Sequence, residues 1–127
     1  MARILLIEDD TQIRELLRET LMHEGHEVIE CENGAEGVRH YQQSNIDLVI
    51  MDVLLPDKDG IETLSELKQY NAHVNVLAIS GGFSQGTVNV LDIQKRLGAK
   101  ETLAKPFDLK FFLKVVNQLL AVQETSP

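Results

Sequence analysis

The sequence predicts a doubly wound α/β domain, in which a parallel sheet of five strands carries helices on both faces. Short apolar runs and longer amphipathic segments alternate five times along the 127 residues, and this alternation favours parallel strands joined by right-handed helical crossovers. The chain has the length of one domain, and we find no internal repeat, linker or low-complexity stretch in it. We therefore expect a single sheet to include the whole chain.

The predicted strands are short apolar runs bounded by polar or turn-forming residues. The first extends from Arg3 to Ile7 and is stopped by Glu8-Asp9-Asp10, and the third is the run D-L-V-I-M from Asp47 to Met51. Pro56 and the Asp59-Gly60 pair follow this third strand and predict a loop there. The other three strands are predicted over residues 26–30, 74–79 and 100–103.

The segments between the strands have helical periodicity. In the first of them Ile13, Leu16, Leu17 and Leu21 lie on one helical face, and Gly25 is the expected stop. The third predicted helix has Ile61, Leu64 and Leu67 on its apolar face. The second, fourth and fifth helices are predicted over residues 34–44, 84–97 and 108–122, and a tail over 123–127 is expected to be frayed.

Charge and cysteine content exclude several classes of function. The formal net charge of -8 repels phosphate backbones and anionic lipid, so neither nucleic acid nor a membrane surface is expected as a partner. Cys31 is the only cysteine, which excludes an intrachain disulfide, and we interpret it as a small buried hydrophobe. The N-terminus resembles neither a signal peptide nor a membrane span, so the expected location is the cytoplasm.

Polar side chains follow four of the predicted strands. Glu8-Asp9-Asp10 follow the first strand, Asp52 the third, Ser80 the fourth, and Lys105 lies just beyond the fifth. Ligands of such folds bind beyond the carboxyl ends of the strands, where these groups would converge. Clustered carboxylates need a compensating cation, and an all-oxygen site suits Mg²⁺. Together with an ammonium and a hydroxyl, they predict phosphoryl transfer onto an aspartate.

Each of these residues also has a simpler interpretation when it is taken alone. Acids before a helix commonly cap it, and Asp10 fits that role by itself. Asp52 alone could be a turn residue, and Lys105 alone a solvated lysine. Joint placement at successive strand ends favours the shared site. The four histidines show no pairing at ligand spacing, so we assign them no metal role.

Four segments of the chain form a recognisable set of motifs: I-L-L-I-E-D-D, D-L-V-I-M-D-V-L-L-P-D-K-D-G, A-I-S-G-G and L-G-A-K-E-T-L-A-K-P-F. In these segments, which match in order and at normal spacing, the sequence resembles the response-regulator receiver domains of two-component signalling. The resemblance extends from Arg3 to about Leu120 and implies the strand order 2-1-3-4-5, with residues 1–122 as the receiver domain.

The resemblance also implies a role for each site residue. Asp52 would be the phosphoacceptor, Asp9 a direct ligand of Mg²⁺, and Glu8 a ligand either directly or through water. Lys105 would pair with the phosphoryl oxygens, and Ser80 would be the switch hydroxyl. The implied ligand set is completed by the backbone carbonyl of Leu54.

One position departs from the pattern of the family. An aromatic residue usually stands three places before the lysine, where this chain has Thr102. A β-branched side chain has few rotamers and no ring to turn, so the usual aromatic switch does not apply. We expect the signal to pass instead through the loop that begins at Ser80 and into the helix that follows it.

The function implied is that of a signalling switch and not of an enzyme with an external substrate. The chain would accept a phosphoryl group from a sensor histidine kinase or a phosphotransfer protein, catalyse only this transfer and its own dephosphorylation, and act on a downstream protein. A homodimer is left open, and the cognate kinase and target are not encoded in any visible motif.

Three rival interpretations are less consistent with the residues. A Mg²⁺-dependent aspartyl-phosphate phosphatase needs a second Asp two residues after the nucleophile, where this chain has Leu54. In a flavin-binding domain the first loop must hold a phosphate, which Glu8-Asp9-Asp10 would repel. A degenerate receiver that serves only as a docking module would normally lack the acids or the lysine, and all are present here.

Overall fold

The computed structural model of the chain describes residues 2–52, 60–80, 98–105 and 107–125, with the backbone alone for 122–125. The predicted helix over 84–97 lies outside these residues, and so do Leu54 and Pro106. The element bounds and contacts given below refer to the described ranges.

Five strands form one parallel sheet in the order β2-β1-β3-β4-β5, which confirms the predicted fold class and strand order. Each observed strand begins within two residues of its predicted start. The strands are β1 (Arg3–Ile7), β2 (Glu27–Cys31), β3 (Leu48–Asp52), β4 (Val76–Ser80) and β5 (Glu101–Ala104).

Two of the helices follow a residue whose side chain accepts a hydrogen bond from a free backbone amide. Asp10 accepts a hydrogen bond from the amide of Ile13, and Asn33 accepts one from the amide of Glu36, as N-caps do. The last helix continues three residues beyond its predicted end. The helices are α1 (Thr11–His23), α2 (Gly34–Gln43), α3 (Gly60–Tyr70) and a C-terminal helix (Leu109–Thr125). None of the helices in the described ranges is long and apolar enough to span a membrane.

The sheet separates two hydrophobic cores, and this arrangement fixes which helix faces carry apolar residues. Leu17 and Leu21 of α1 pack with Phe112 of the C-terminal helix on one face, and α2 and α3 cover the other. The expectation that Leu16 belongs to the core face of α1 is wrong, since this residue is 50% exposed. Adjacent residues of a helix are about 100° apart, so only Leu17 of the pair can face the sheet.

Gly37 of α2 shows how closely this helix approaches the end of β1. A Cβ added at Gly37 would lie 2.9 Å from Cγ1 of Ile7 and in still closer contact with its Cδ1. The absence of a side chain at this position therefore lets α2 approach the sheet. Cys31 lies beside it and is 4% exposed, and burial raises the pKa of its thiol to about 12. The interpretation of Cys31 as a small buried hydrophobe is confirmed.

Candidate acidic site at the carboxyl edge of the sheet

The parallel topology brings the predicted site residues to one edge of the sheet. Glu8 follows β1, Asp52 ends β3, Ser80 ends β4 and Lys105 follows β5. In the register of the sheet, Asp52 is paired with Ile79, the residue before Ser80. The side chains are not solvated, because Glu8 is 0%, Ser80 3% and Asp52 5% exposed. Polar groups buried at this depth need compensating partners.

Three carboxylates lie close enough together to bind one cation. Glu8, Asp9 and Asp52 each offer one oxygen, and these oxygens lie within 4.8 Å of one another. Asp9 is exposed, whereas the other two are buried, so the cluster is open to solvent on one side. A ligand set of oxygen atoms alone suits a hard divalent cation, and these residues therefore fit Mg²⁺.

Lys105 provides the positive charge that the structure places against this cluster. Its Nζ donates to Oε1 of Glu8 at 3.0 Å and to Oδ2 of Asp52 at 2.9 Å. Burial lowers the pKa of Lys105, but the hydrogen bonds to the two carboxylates and their charges outweigh burial and raise this pKa above its ordinary value. The lysine is therefore held as an ammonium between the two buried acids.

Glu8 is the group that this environment perturbs most. Burial, and after it the negative charge of Asp52, raise the pKa of Glu8 from 4.5 to about 7, although hydrogen bonds from the Asp10 amide and from Lys105 oppose the shift. One lysine thus compensates the buried carboxylates only in part. A divalent cation at the cluster would favour the ionised form of Glu8.

The peptide that carries Glu8 is held on both sides. Its N–H donates to the carbonyl of Cys31 in β2 at 3.1 Å, and its carbonyl accepts from Nη1 of Arg14 in α1 at 2.9 Å. The Glu8 side chain in turn accepts from the amide of Asp10 at 3.1 Å. Sequence reasoning did not identify Arg14. The only indication in the sequence was a positively charged side chain in the first turns of the helix that follows the acids.

The other predicted site residues are placed as follows. Lys105 is joined to Ser80 through the backbone, since its N–H donates to the Ser80 carbonyl at 2.6 Å. Thr102 is half-buried on β5 and is paired in register with Ala78. Asp10 is exposed and caps α1, the simpler of the two roles considered for it. Leu54, the implied carbonyl ligand, lies outside the described residues.

Comparison with known proteins shows the same kind of domain. A family model described as "Response regulator receiver domain" matches residues 4–117. The chain is 34% identical over 119 residues to the chemotaxis protein CheY of Bacillus subtilis, an alignment that covers 93% of this chain and 97% of that protein.

Two solved structures are similar throughout. A response regulator receiver domain protein from Clostridium thermocellum superimposes with a TM-score of 0.89 at 26% identity, covering 98% of each chain. The response regulator TrrA of Thermotoga maritima, solved in complex with Mg²⁺-BeF, superimposes with a TM-score of 0.81 at 30% identity, covering 94% of this chain and 99% of TrrA.

Proposed function

The chain belongs to the receiver domains of two-component response regulators, and from this premise we propose that it is a phosphorylation switch in which Asp52 accepts the phosphoryl group. The observation that carries the proposal is the position of the Asp52 carboxylate between two further acids and the Lys105 ammonium. Family membership also removes the phosphatase and flavin-binding interpretations, and it leaves the degenerate docking module as the alternative to be tested.

Asp52 is suited to act as a nucleophile toward phosphorus. Its carboxylate ends a buried strand, so its position is fixed by the sheet, and one oxygen is held by Lys105 at 2.9 Å. In the proposed transfer a carboxylate oxygen of Asp52 forms a bond to phosphorus while the bond between phosphorus and the donor nitrogen of a phosphohistidine breaks. The released imidazole regains a proton, and the phosphoryl group remains on Asp52 as an acyl phosphate.

Glu8, Asp9 and Asp52 are the described residues that would hold Mg²⁺, and the carbonyl of Leu54 is proposed to complete the set. When bound, the ion neutralises the negative charge that gathers on the phosphoryl oxygens. Lys105 would also neutralise negative charge on the phosphoryl oxygens, because its ammonium already lies against the acceptor carboxylate. A lysine acts on phosphoryl oxygens as a compact point charge.

The conformational change that follows phosphorylation is proposed to begin at Ser80 and Lys105, and to pass through the loop that begins at Ser80 into the helix predicted to follow it. Ser80 and Lys105 would both bond the phosphoryl group, and the backbone hydrogen bond between them means that a movement of one is transmitted to the other. Thr102, two residues before the end of β5, has no aromatic ring to reorient. We propose a downstream protein as the target, and a sensor histidine kinase or a phosphotransfer protein in the cytoplasm as the phosphoryl donor.

The test is phosphorylation by a small-molecule donor. The purified chain, incubated with acetyl phosphate and Mg²⁺, should gain one phosphoryl group that is labile at alkaline pH, and intact-mass spectrometry should detect it. Asp52→Asn should abolish the modification. Asp10→Asn is the matched control, because Asn preserves the cap of α1 while it removes a neighbouring negative charge.

The outcomes separate the two interpretations. Modification of the wild-type chain and of Asp10→Asn, but not of Asp52→Asn, supports the proposal. A wild-type chain that stays unmodified by acetyl phosphate and is also unresponsive to beryllium fluoride with Mg²⁺ would indicate a docking module. Modification that persists in Asp52→Asn would show that the acceptor is another residue.

A further inference from the structure

Arg14 connects α1 to the backbone of Glu8, the first residue of the acidic site. Its Nη1 donates to the backbone carbonyl of Glu8 at 2.9 Å, and its side chain is only 13% exposed. This bond is made to a carbonyl at the carboxyl end of β1, directly before Asp9. The position of the guanidinium is therefore linked to the direction in which the chain leaves the strand.

The guanidinium is itself fixed by acids outside the site. Its Nε lies 3.0 Å from Oε1 of Glu30 on β2, and its Nη1 lies 3.7 Å from Oε1 of Glu32. On the other side of the Glu8 peptide, the N–H bonds to β2 through Cys31. The peptide is thus held between α1 and β2, with the carboxylate of Glu8 on one side and Asp9 following it.

This arrangement is unfavourable for a cation site if charge alone is considered. A guanidinium near three clustered carboxylates makes the local electrostatic potential less negative, and this weakens the attraction of Mg²⁺. Its hydrogen bond to Glu8 is made to the backbone oxygen and not to the carboxylate. What Arg14 contributes is a fixed backbone, and a metal site depends on the orientation of its ligands as much as on their charge.

We propose that Arg14 is a positioning residue of the cation site, which holds the Glu8 peptide so that the Glu8 and Asp9 carboxylates point at a common ion. The inference rests on the proposed Mg²⁺ site, and it adds that the site depends on a residue that contributes no ligand. It makes a prediction opposite in sign to that of electrostatics. Loss of this positive charge should weaken the binding of Mg²⁺.

Arg18 offers a matched control on the same helix. Its Nε lies 3.4 Å from Oε2 of Glu30, so it shares an acidic partner with Arg14 and carries the same charge. Within the described part of the chain, Arg18 makes no hydrogen bond to the Glu8 backbone. Arg14→Met and Arg18→Met therefore remove equal charge and each removes an ion pair with Glu30. Arg14→Met also removes the longer contact with Glu32 and the bond to the Glu8 carbonyl. Arg14→Lys keeps the charge but offers a single donor nitrogen in place of the guanidinium fork.

The experiment measures Mg²⁺ affinity by isothermal titration calorimetry on protein freed of metal with EDTA. Arg14→Met should bind Mg²⁺ about tenfold more weakly than wild type, the lower end of the effect of removing a group that orients metal ligands. Arg18→Met should bind as tightly as wild type or slightly tighter, and Arg14→Lys should recover part of the loss. Amide hydrogen exchange in the metal-free protein gives a second readout, in which Glu8 and Asp10 should exchange faster in Arg14→Met alone.

The outcomes distinguish the failure of this inference from the failure of the proposed function. If wild type shows no binding of Mg²⁺, the proposed function fails. If wild type binds and Arg14→Met binds equally well or more tightly, or if Arg18→Met weakens binding to the same extent, the positioning role is refuted. Circular dichroism tests whether each variant is folded. If Arg14→Met is unfolded, Arg14→Lys takes its place, and Mg²⁺ affinity and Asp10 amide exchange equal to those of wild type would refute the role.

Discussion

Replacing Glu8 by Gln removes a charge from a fully buried position of the acidic site, and the structure predicts that the metal-free protein becomes more stable. The pKa of Glu8 is raised by burial, and then by Asp52, from 4.5 to about 7. At about 1.36 kcal/mol for each pH unit, the ionised side chain costs the folded state about 3 kcal/mol at pH 8.

Gln does not recover all of this energy. The two Glu8 oxygens accept from Lys105 and from the Asp10 amide, whereas Gln has a single oxygen, so one hydrogen bond of about 1 kcal/mol is lost. The net gain in the free energy of unfolding is therefore about 2 kcal/mol at pH 8. For a chain of this length it corresponds to a rise in Tm of about 6–10 °C.

The sign of the effect depends on pH and on metal. A carboxyl group whose pKa is raised on folding carries no penalty below its unfolded value of 4.5, and the penalty grows as the pH rises toward about 7. At pH 5 the advantage of Gln should thus disappear. At the proposed site Mg²⁺ would bind the ionised form, so millimolar Mg²⁺ should stabilise wild type by mass action and stabilise Glu8→Gln much less.

Urea unfolding followed by circular dichroism, at pH 5 and pH 8, in EDTA and in Mg²⁺, measures these free energies. Glu15→Gln is the control, because this exposed residue of α1 loses the same charge outside the site and should change stability by less than about 0.5 kcal/mol. A Glu8→Gln protein that is less stable than wild type at pH 8 in EDTA would show that the buried charge is already fully compensated, and the reasoning would be wrong.

Three further predictions follow from individual positions. Gly37→Ala should lower the free energy of unfolding by about 1–2 kcal/mol in urea, because overpacking against Ile7 outweighs the gain in helix propensity; unchanged stability would mean that α2 moves freely away from the sheet. Ser80→Ala should still be phosphorylated by acetyl phosphate but should show smaller amide NMR shifts with beryllium fluoride and Mg²⁺, and a full wild-type response would remove Ser80 from the switch. Thr102→Val should leave that NMR response nearly intact, whereas a blocked response would place Thr102 on the signal route.

The resemblance to receiver domains implied the strand order, and the alternation of strands and helices was sufficient for the edge at which the polar residues meet, because parallel strands joined by crossovers end on the same side of their sheet. Glu8, Asp52 and Lys105 were predicted to converge for this topological reason, and the structure places both carboxylates within hydrogen-bonding distance of the Lys105 ammonium. Helical periodicity was less decisive. It could not determine which of Leu16 and Leu17 faces the core, since both belong to the apolar stripe and only packing distinguishes them.

The site residue that sequence reasoning missed acts through the backbone. Arg14 bonds a carbonyl, and every residue has a carbonyl, so no residue type marks its partner in the sequence. The raised pKa of Glu8 was equally hidden, because it depends on the depth of burial and on the separation from Asp52. The bond made by Arg14 and the pKa of Glu8 both depend on distances in the folded protein. They could therefore not be predicted from the pattern of residues in the sequence.

The buried thiol of Cys31 has a practical consequence for work on this chain. Thiol-directed probes react with the thiolate, and a cysteine that is 4% exposed with a pKa of about 12 offers almost none at neutral pH. A second cysteine introduced at an exposed position, such as Glu15 of α1, should therefore take up a fluorophore or spin label alone, with the native residue left in place. Wild-type protein treated with the same reagent is the blank. Distances from that label to a partner molecule could then be measured without first rebuilding the core.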